Sequence, residues 1–193
     1  ELQPGDLIAT ARRIPAPPTR LQMSCEDAEL IGHLVANGAF DSGFTPIYHS
    51  GSPELRARVV HLAGQLKEFE GVGRDVFERG CYSTTLRGLF EWTRRYGLSS
   101  RSKEKRIPSV LFGLGDEPLA AMLRAIWTDG YVPADGRRAI EIVLASEGLI
   151  DDLQILLRRF GVVARKSYKR AKCGDKHYDA WKLTIADAAS RVQ

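Results

Sequence analysis

Two residues at the ends of helix-like segments could together bind a divalent cation. Asp129 precedes Gly130 at the end of an apolar segment, and Asn37 precedes Gly38 at the end of an earlier, similar one. An acid in the last turn of a helix lies at the negative end of the helix dipole, which costs a few tenths to about 1 kcal/mol and favours a nearby cation. Hard cations such as Mg²⁺ prefer oxygen ligands. If the two helix ends meet, we expect a metal site with Asp129 and Asn37 as ligands.

The elements that would position these residues form an internal repeat. Each helix-like segment is followed by a strand, a helix and a further strand, and hydrophobic periodicity supports each assignment. In the first half the predicted elements are a strand over Phe44–His49, a helix over Ser52–Leu66 and a strand over Cys81–Leu86. In the second half they are a strand over Ala139–Ala145, a helix over Gly148–Phe160 and a strand over Ala180–Ile185, with a last helix starting near Ala188. The repeat predicts two pseudo-symmetric halves.

A basic hairpin is predicted in the second half. The arms 162–170 and 177–185 flank a turn signal at Cys173–Lys176. Their alternation lets one face pack on a helix while the other carries cations, and a two-stranded ribbon fits the DNA major groove. For any single lysine, a solvated strand face is the simpler explanation. The candidate DNA-binding residues here are Arg165, Lys166, Lys169, Arg170 and Lys182.

The two helix-end segments resemble the paired motifs of LAGLIDADG homing endonucleases. In the first, 30–38 keeps Gly32, which would let two helices approach closely, and a terminal glycine. In the second, only Thr128-Asp129-Gly130 matches well, because counting back from Gly130 places Arg124 at the packing glycine and Trp127 at the inner acid. The resemblance implies an α+β fold: central motif helices, and antiparallel sheets that form a DNA-binding saddle.

The stretch between the motifs resembles that of intein endonucleases. In those proteins a lysine stands shortly before Ile-Pro, and here Lys105 precedes Arg106, Ile107 and Pro108. By this resemblance Lys105 would stabilise charge at the scissile phosphate or position the attacking water. The surrounding cations Arg101, Lys103 and Arg106 are further candidates for DNA contact, although a solvated basic loop would look the same.

The N-terminal segment 2–13 resembles the part of an intein splicing domain that leads into an inserted endonuclease, and a proline-rich connector follows it. The chain starts at Glu1 and ends at Gln193, without the nucleophile or the His-Asn pair of splicing, so we expect no splicing chemistry in it. The resemblance extends to inteins inserted in bacterial replicative DNA helicases. We expect residues 1–22 to be a splicing-domain remnant and linker, 23–112 the first LAGLIDADG half and 113–193 the second.

Composition agrees with this interpretation. The chain has 193 residues, a net charge of +4 and a sequence pI near 9.1, with cations concentrated in 94–106 and 158–176. Clustered cations favour phosphate contacts. Its 3 cysteines are scattered and form no disulfide or zinc pattern, and no signal peptide or membrane-spanning run is visible. We therefore expect a cytoplasmic protein with no membrane partner.

The reaction that the resemblance implies is hydrolysis of double-stranded DNA at the uninterrupted host-gene junction by water activated by Mg²⁺ or Mn²⁺. A monomer would suffice, with the rest of the intein splicing domain as its other partner. Because Asn37 replaces the first acid, we expect an impaired or nicking endonuclease. A DNA-binding domain without cleavage and a purely structural intein insert are the alternatives. Asp41 could replace Asn37, and Lys182 or Lys176 could supply a second lysine.

Overall fold

The computed structural model describes residues 3, 11–40, 45–98, 101–134, 138–173 and 176–186. The helices among these residues are α1 (Cys25–Asn37), α2 (Pro53–Ala63), α3 (Phe90–Arg95), α4 (Asp116–Ile126) and α5 (Glu147–Leu157). The strands are β1 (Gly38–Ala39), β2 (Ile47–Ser50), β3 (Gly71–Glu78), β4 (Cys81–Arg87), β5 (Ile140–Leu144), β6 (Arg165–Cys173) and β7 (Lys176–Ile185). Short 3₁₀ turns lie at Ser109–Gly113, Trp127–Asp129 and Arg158–Phe160. None of these helices is long and apolar enough to cross a membrane.

The strands form two antiparallel sheets, one in each half of the chain. The first has the order β1-β2-β4-β3 and the second the order β5-β7-β6. The segment after each helix end pairs with the next strand in the same way: Ala39 pairs with Ile47, and Tyr131 pairs with Glu141. The predicted α+β class and its internal repeat are therefore confirmed.

Helices α1 and α4 pack against each other along their length, and a glycine sets their separation. A Cβ atom on Gly32 would lie 2.4 Å from the carbonyl oxygen of Met122 and 2.8 Å from the Cβ of Ala125. Only a residue without a side chain allows this approach. The facing small residue is Ala125, which is buried, whereas Arg124 is exposed. Counting back from Gly130 therefore gave the wrong residue, because α4 ends in a 3₁₀ turn, which advances by a larger angle per residue than an α-helix.

One hydrophobic core runs through both halves. It includes Leu30 and Leu34 of α1, Met122 of α4, Trp92 of α3 and Leu153 of α5, each at most 2% exposed. Because apolar side chains from both sheets and both central helices belong to the same cluster, the two halves bury their surfaces against each other as well as internally. The folded unit is therefore the pair of halves.

Several elements differ in detail from the sequence expectations. Strand β3 was not predicted, since Gly71, Gly73 and the charges around them obscure its alternation. The helix expected over Ser52–Leu66 ends earlier, at Ala63. The expected strand over Phe44–His49 is β2, shifted toward the C-terminus. The expected helix near Ala188, the middle of the Cys173–Lys176 turn and most of 1–10 lie outside the described residues.

The segment before α1 contacts the second half. The amide of Ile14 donates a hydrogen bond of 3.0 Å to the carbonyl of Arg158, and the Arg13 guanidinium donates one of 3.0 Å to the carbonyl of Arg159. Further along, the amide of Leu21 donates one of 2.7 Å to the carbonyl of Gly113. The predicted linker is thus held against the second half of the chain, and the predicted domain limits remain expectations.

Candidate active site and nucleic-acid interface

Asn37 and Asp129 meet where α1 and the 3₁₀ turn after α4 end. Asp129 is exposed at the surface, yet partial burial raises the pKa of its carboxyl above the usual 3.8. Hydrogen bonding from the Asn37 side chain and the charge of Lys105 act in the opposite direction without cancelling this effect. The three side chains that the sequence selected are therefore neighbours. Loss of water around the carboxylate therefore outweighs the two groups that favour its charged form.

Lys105 is buried beside the end of α1, with 8% of its surface exposed. Its Nζ donates a hydrogen bond of 2.9 Å to the carbonyl of Ala36, the residue before Asn37. Burial lowers the pKa of Lys105 from 10.5 to about 8, and the charge of Asp129 only partly opposes this. The ammonium is thus held at the meeting point of the two helix ends.

The loop that carries Lys105 is anchored to α5. The hydroxyl of Ser146 donates a hydrogen bond of 2.6 Å to the Lys105 carbonyl, and the same oxygen caps α5 by accepting from the Leu149 amide. The carboxylate of Asp152, which is 2% exposed, accepts two hydrogen bonds from Arg106, of 2.7 and 2.6 Å, and one of 2.9 Å from the Ile107 amide. Sequence reasoning missed Ser146 and Asp152. The sequence did contain one sign of this contact, because Asp152 is an acid on the apolar face of the predicted helix.

Tyr48 is a further residue of this site that the sequence analysis did not select. It lies on β2 opposite Gly38, is 1% exposed, and its hydroxyl makes no hydrogen bond within the described residues. Burial raises its pKa to about 12, while nearby Ser50 and Asn37 lower it and the charge of Asp129 raises it further. The hydroxyl therefore points toward the place where Asn37 and Asp129 meet.

The oxygen atoms of this site suit a divalent cation of the Mg²⁺ type. Asp129 offers a carboxylate and Asn37 an amide carbonyl, and a cation beside Asp129 would favour its charged form against the effect of burial. Mg²⁺ is commonly held by one or two carboxylates with waters and substrate phosphates as its other ligands. Within the described ranges, no three His, Cys, Asp or Glu side chains cluster as a metal site. The site thus fits a cation that a bound phosphate helps to hold.

The two faces of the β6–β7 ribbon differ in their surroundings. Strand pairing sets Arg165 opposite Thr184 and Lys169 opposite Ala180, on the same face as Lys182. The alternate face carries Lys166, which binds Glu147 and Asp151 around α5 at 3.1 and 2.6 Å. The ribbon therefore packs one face on α5 and turns the other outward, as the sequence predicted.

The candidate DNA-contacting cations fall into two groups. Arg101, Lys103, Arg165, Lys169 and Arg170 are exposed, and Lys169 lies over the ring of Tyr131 at 6.0 Å. Lys166, Lys182 and Arg106 are held in ion pairs, Lys182 with the buried Glu141 at 3.0 Å. Desolvation acts to raise the pKa of Glu141, but hydrogen bonds from Lys182, Tyr131 and Thr184 outweigh it and hold the pKa below its usual value. The structure assigns no DNA contact to either group.

Three further sequence candidates are not placed in the site. Asp41, proposed as a substitute for Asn37, lies outside the described residues, as does the side chain of Lys176. Lys182, the other proposed second lysine, binds Glu141 on the second sheet. Among the described lysines, Lys105 is therefore the one that the structure brings to Asn37 and Asp129.

Comparison with known families identifies part of the chain directly. Residues 117–192 match the family model described as a LAGLIDADG-like domain. The replicative DNA helicase DnaB of Rhodothermus marinus is 33% identical over 182 residues, covering 86% of this chain and 19% of the helicase. DnaB of Synechocystis is 29% identical, covering 98% of this chain and 23% of the helicase.

A similar segment also occurs in an unrelated kind of protein. The glutamine–fructose-6-phosphate aminotransferase of Methanocaldococcus jannaschii is 27% identical over 173 residues, covering 84% of this chain and 15% of that protein. The chain thus spans less than a quarter of the length of each of these relatives. The matching region is a minor part of proteins that otherwise differ.

Solved structures share the fold at low sequence identity. The homing endonuclease I-DmoI in complex with DNA and Mn superposes with a TM-score of 0.58 at 11% identity, covering 87% of this chain and 92% of that one. The N-terminal LAGLIDADG domain of DUF199/WhiA gives 0.55 at 16% identity, covering 88% and 79%. The similarity covers both halves, including the first half, which the family model does not reach.

Proposed function

Because the chain carries a LAGLIDADG-like domain within a fold that homing endonucleases share, we propose that it binds and cleaves a specific double-stranded DNA site, with one of its two catalytic positions weakened. The observation that carries the proposal is the convergence of Asn37, Asp129 and Lys105 at the ends of two closely packed helices. These are the residues that the family resemblance selects for catalysis.

The proposed reaction is hydrolysis of a phosphodiester. A water oxygen gives up a proton and forms a bond to phosphorus. The bond from phosphorus to the leaving oxygen breaks, and that oxygen takes up a proton. A Mg²⁺ or Mn²⁺ ion held by Asp129 and Asn37 would supply positive charge to the attacking and leaving oxygens. Lys105 stabilises the negative charge that develops on the phosphate, since its pKa of about 8 leaves it largely protonated at neutral pH.

Asn37 is the reason to expect impaired cleavage. Its amide offers an oxygen without the full negative charge of a carboxylate, so it binds a divalent cation less strongly than aspartate. With Asp129 as the one acid of the pair, we expect cleavage of one strand to exceed cleavage of the other. The expected product is a nicked duplex.

We further propose that the DNA site is the uninterrupted junction of a replicative helicase gene, and that the protein acts in the cytoplasm as part of an intein. Two curated relatives are helicases of this type, and a third, an aminotransferase, contains a similar segment. A segment that occurs as a minor part of unrelated proteins is typical of an inserted element. The outward face of the β6–β7 ribbon, with Arg165, Lys169 and Lys182, is the proposed contact to DNA.

A second candidate function is site-specific DNA binding without cleavage. The pairing of one carboxylate with an amide favours it, because a site with so few charged ligands holds a cation weakly. A structural intein insert is the third possibility, which predicts weak DNA binding with a shallow salt dependence. Binding and cleavage measured on the same DNA separate the three.

The test uses a supercoiled plasmid that carries the uninterrupted helicase-gene junction, with Mg²⁺ or Mn²⁺. We expect nicked circles from the unaltered chain, linear product from Asn37→Asp, and no product from Asp129→Ala. Tight binding without product from any version would establish the DNA-binding alternative. Binding no tighter to the junction than to random DNA would exclude both.

A further inference from the structure

The hydroxyl of Tyr48 is a buried polar group without a hydrogen-bond partner among the described residues. Leaving such a group unsatisfied costs roughly 1–3 kcal/mol, so most buried hydroxyls in folded proteins have a protein or water partner. At 1% exposure, Tyr48 has no access to bulk solvent that would replace one. A hydroxyl at this depth without a protein partner has the chemistry to bind a buried water or a bound group.

The position of the hydroxyl indicates where that partner binds. The Tyr48 main chain pairs with Gly38, the residue after Asn37, and the influence of Asn37, Ser50 and Asp129 on its pKa places the hydroxyl among them. Ser50 and Asn37 lie close enough to lower the Tyr48 pKa as hydrogen-bonding neighbours, but neither reaches the distance and angle of a hydrogen bond to the hydroxyl. A phenol hydroxyl is protonated at neutral pH and can donate one hydrogen bond.

The second half shows that packing alone does not require a hydroxyl here. Tyr48 stands four residues before Ser52, which caps α2, and Ile142 stands four residues before Ser146, which caps α5. The strand pairings agree: Tyr48 lies opposite Gly38, and the pairing of Tyr131 with Glu141, continued by one residue, sets Ile142 opposite Gly130. Ile142 is fully buried with a hydrocarbon side chain. The hydroxyl thus occurs in the half that has Asn37, and a purely apolar residue in the half that has Asp129.

We propose that the Tyr48 hydroxyl is a positioning group of the Asn37–Asp129 site. It donates a hydrogen bond to a water molecule beside Asn37, the residue that replaces the first acid of the motif. It orients that water but brings no negative charge, so it compensates for Asn37 only in part. This inference rests on the proposed function, because it assumes that DNA and a cation complete the site.

The test compares Tyr48→Phe with Tyr96→Phe, a tyrosine of the α3 region that packs on Trp92. Each full-length variant is titrated with Ca²⁺ while it binds a labelled duplex carrying the junction, and thermal unfolding is measured without DNA or metal. For Tyr48→Phe we expect the Ca²⁺ concentration at half-maximal enhancement of binding to rise about 3- to 10-fold, the worth of one hydrogen bond. Binding in EDTA should not change. The midpoint of unfolding should stay equal or rise by about 2–4 °C, because an unsatisfied hydroxyl is removed.

The outcomes separate this inference from the function on which it rests. Equal Ca²⁺ dependence for the unaltered chain and Tyr48→Phe, with junction binding intact, would overturn the role of Tyr48 alone. A fall in the unfolding midpoint of Tyr48→Phe would show that the hydroxyl already has a structural partner and would also overturn it. Failure of every version to prefer the junction, or to respond to Ca²⁺, would overturn the proposed function and the inference together.

Discussion

The Nζ of Lys105 donates a hydrogen bond of 2.9 Å to the main-chain carbonyl of Ala36, the residue that precedes Asn37. This carbonyl lies at the C-terminal end of α1, where the helix dipole is negative and favours a cation. The loop of Lys105 is fixed to α5 of the second half through Ser146 and Asp152. The side chain of Lys105 thus binds the end of α1 in the first half, while the loop that carries it is anchored to α5 in the second half.

Replacement of Lys105 by Met should stabilise the protein at neutral pH while it abolishes cleavage. The pKa of Lys105 is lowered in the folded chain to about 8, so between about pH 8 and 10.5 the unfolded chain binds more protons at this residue. The destabilisation is therefore complete below pH 8 and disappears as the pH rises through this range. The gain should be on the order of 2–3 kcal/mol at pH 7 and should shrink by pH 10. Denaturant unfolding at several pH values measures it.

Lys103→Met is the matched control, because Lys103 is exposed in the same loop. It should change the free energy of unfolding little at any pH. A loss of stability at pH 7 in Lys105→Met, of a size absent from the control, would mean that the hydrogen bond to Ala36 outweighs the cost of burying the ammonium.

Asn37→Asp should make the stability of the protein depend on Mg²⁺. A second carboxylate beside Asp129 adds like-charge repulsion to a carboxyl whose pKa is already raised, so the metal-free variant should lose about 1–2 kcal/mol. Mg²⁺ should restore more stability in the variant than in the unaltered chain. Thermal unfolding with EDTA and with Mg²⁺ measures both effects. Asn37→Ala separates loss of the amide from gain of charge, and an Asn37→Asp variant indifferent to Mg²⁺ would contradict the assignment of a metal site.

Asp152→Ala should destabilise the protein and weaken cleavage together. The change removes the acceptor of the Ile107 amide and of Arg106, and a buried donor left without a partner costs about 1–3 kcal/mol. The loop of Lys105 would lose one of its two anchors. Asp151→Ala is the control, since Asp151 binds Lys166 at the edge of α5. Urea unfolding and plasmid cleavage of the two variants are compared, and equal effects would show that the anchor has no special role.

The two faces of the β6–β7 ribbon should differ in their effect on DNA binding. Arg165→Gln and Lys169→Gln each remove an outward cation, and each DNA phosphate that is no longer neutralised should reduce the slope of log K against log salt by about 0.9. Lys166→Gln removes a cation of the opposite face, already bound to Glu147 and Asp151, and should leave the slope unchanged. Binding to the junction duplex at several salt concentrations tests this. A slope that falls only for Lys166→Gln would place DNA on the other face.

The sequence predicted the central helices and the residues at their ends because their signals are local. Asn37 and Asp129 each precede a glycine at the end of an apolar helix, and Gly32 marks the close approach of the two helices. The outward ribbon face was also predictable, since strand alternation assigns Arg165 and Lys169 to one side. These features depend on helix and strand periodicity, which the sequence contains.

The residues that the sequence did not reveal act through tertiary contacts. Tyr48 looks like an ordinary strand residue of the core, and only the packing of β2 against the end of α1 gives its hydroxyl a polar neighbourhood. Asp152 lies on the apolar face of its helix, but the sequence did not reveal its partners, because the loop of Arg106 folds over it from 45 residues away. Ala125 was missed because the 3₁₀ turn before Gly130 changes the angle between residues.

The contact at Gly32 has a consequence for how such a protein could change its target during evolution. The main chain of α1 lies directly against Met122 and Ala125, so the spacing of the two helix ends is set by backbone contact. If the chain cleaves DNA as proposed, new side chains on the ribbon would change the DNA sequence it binds, while the backbone contact at Gly32 would keep the spacing of the two helix ends. The DNA sequence that is recognised and the spacing of the candidate active site could then evolve independently.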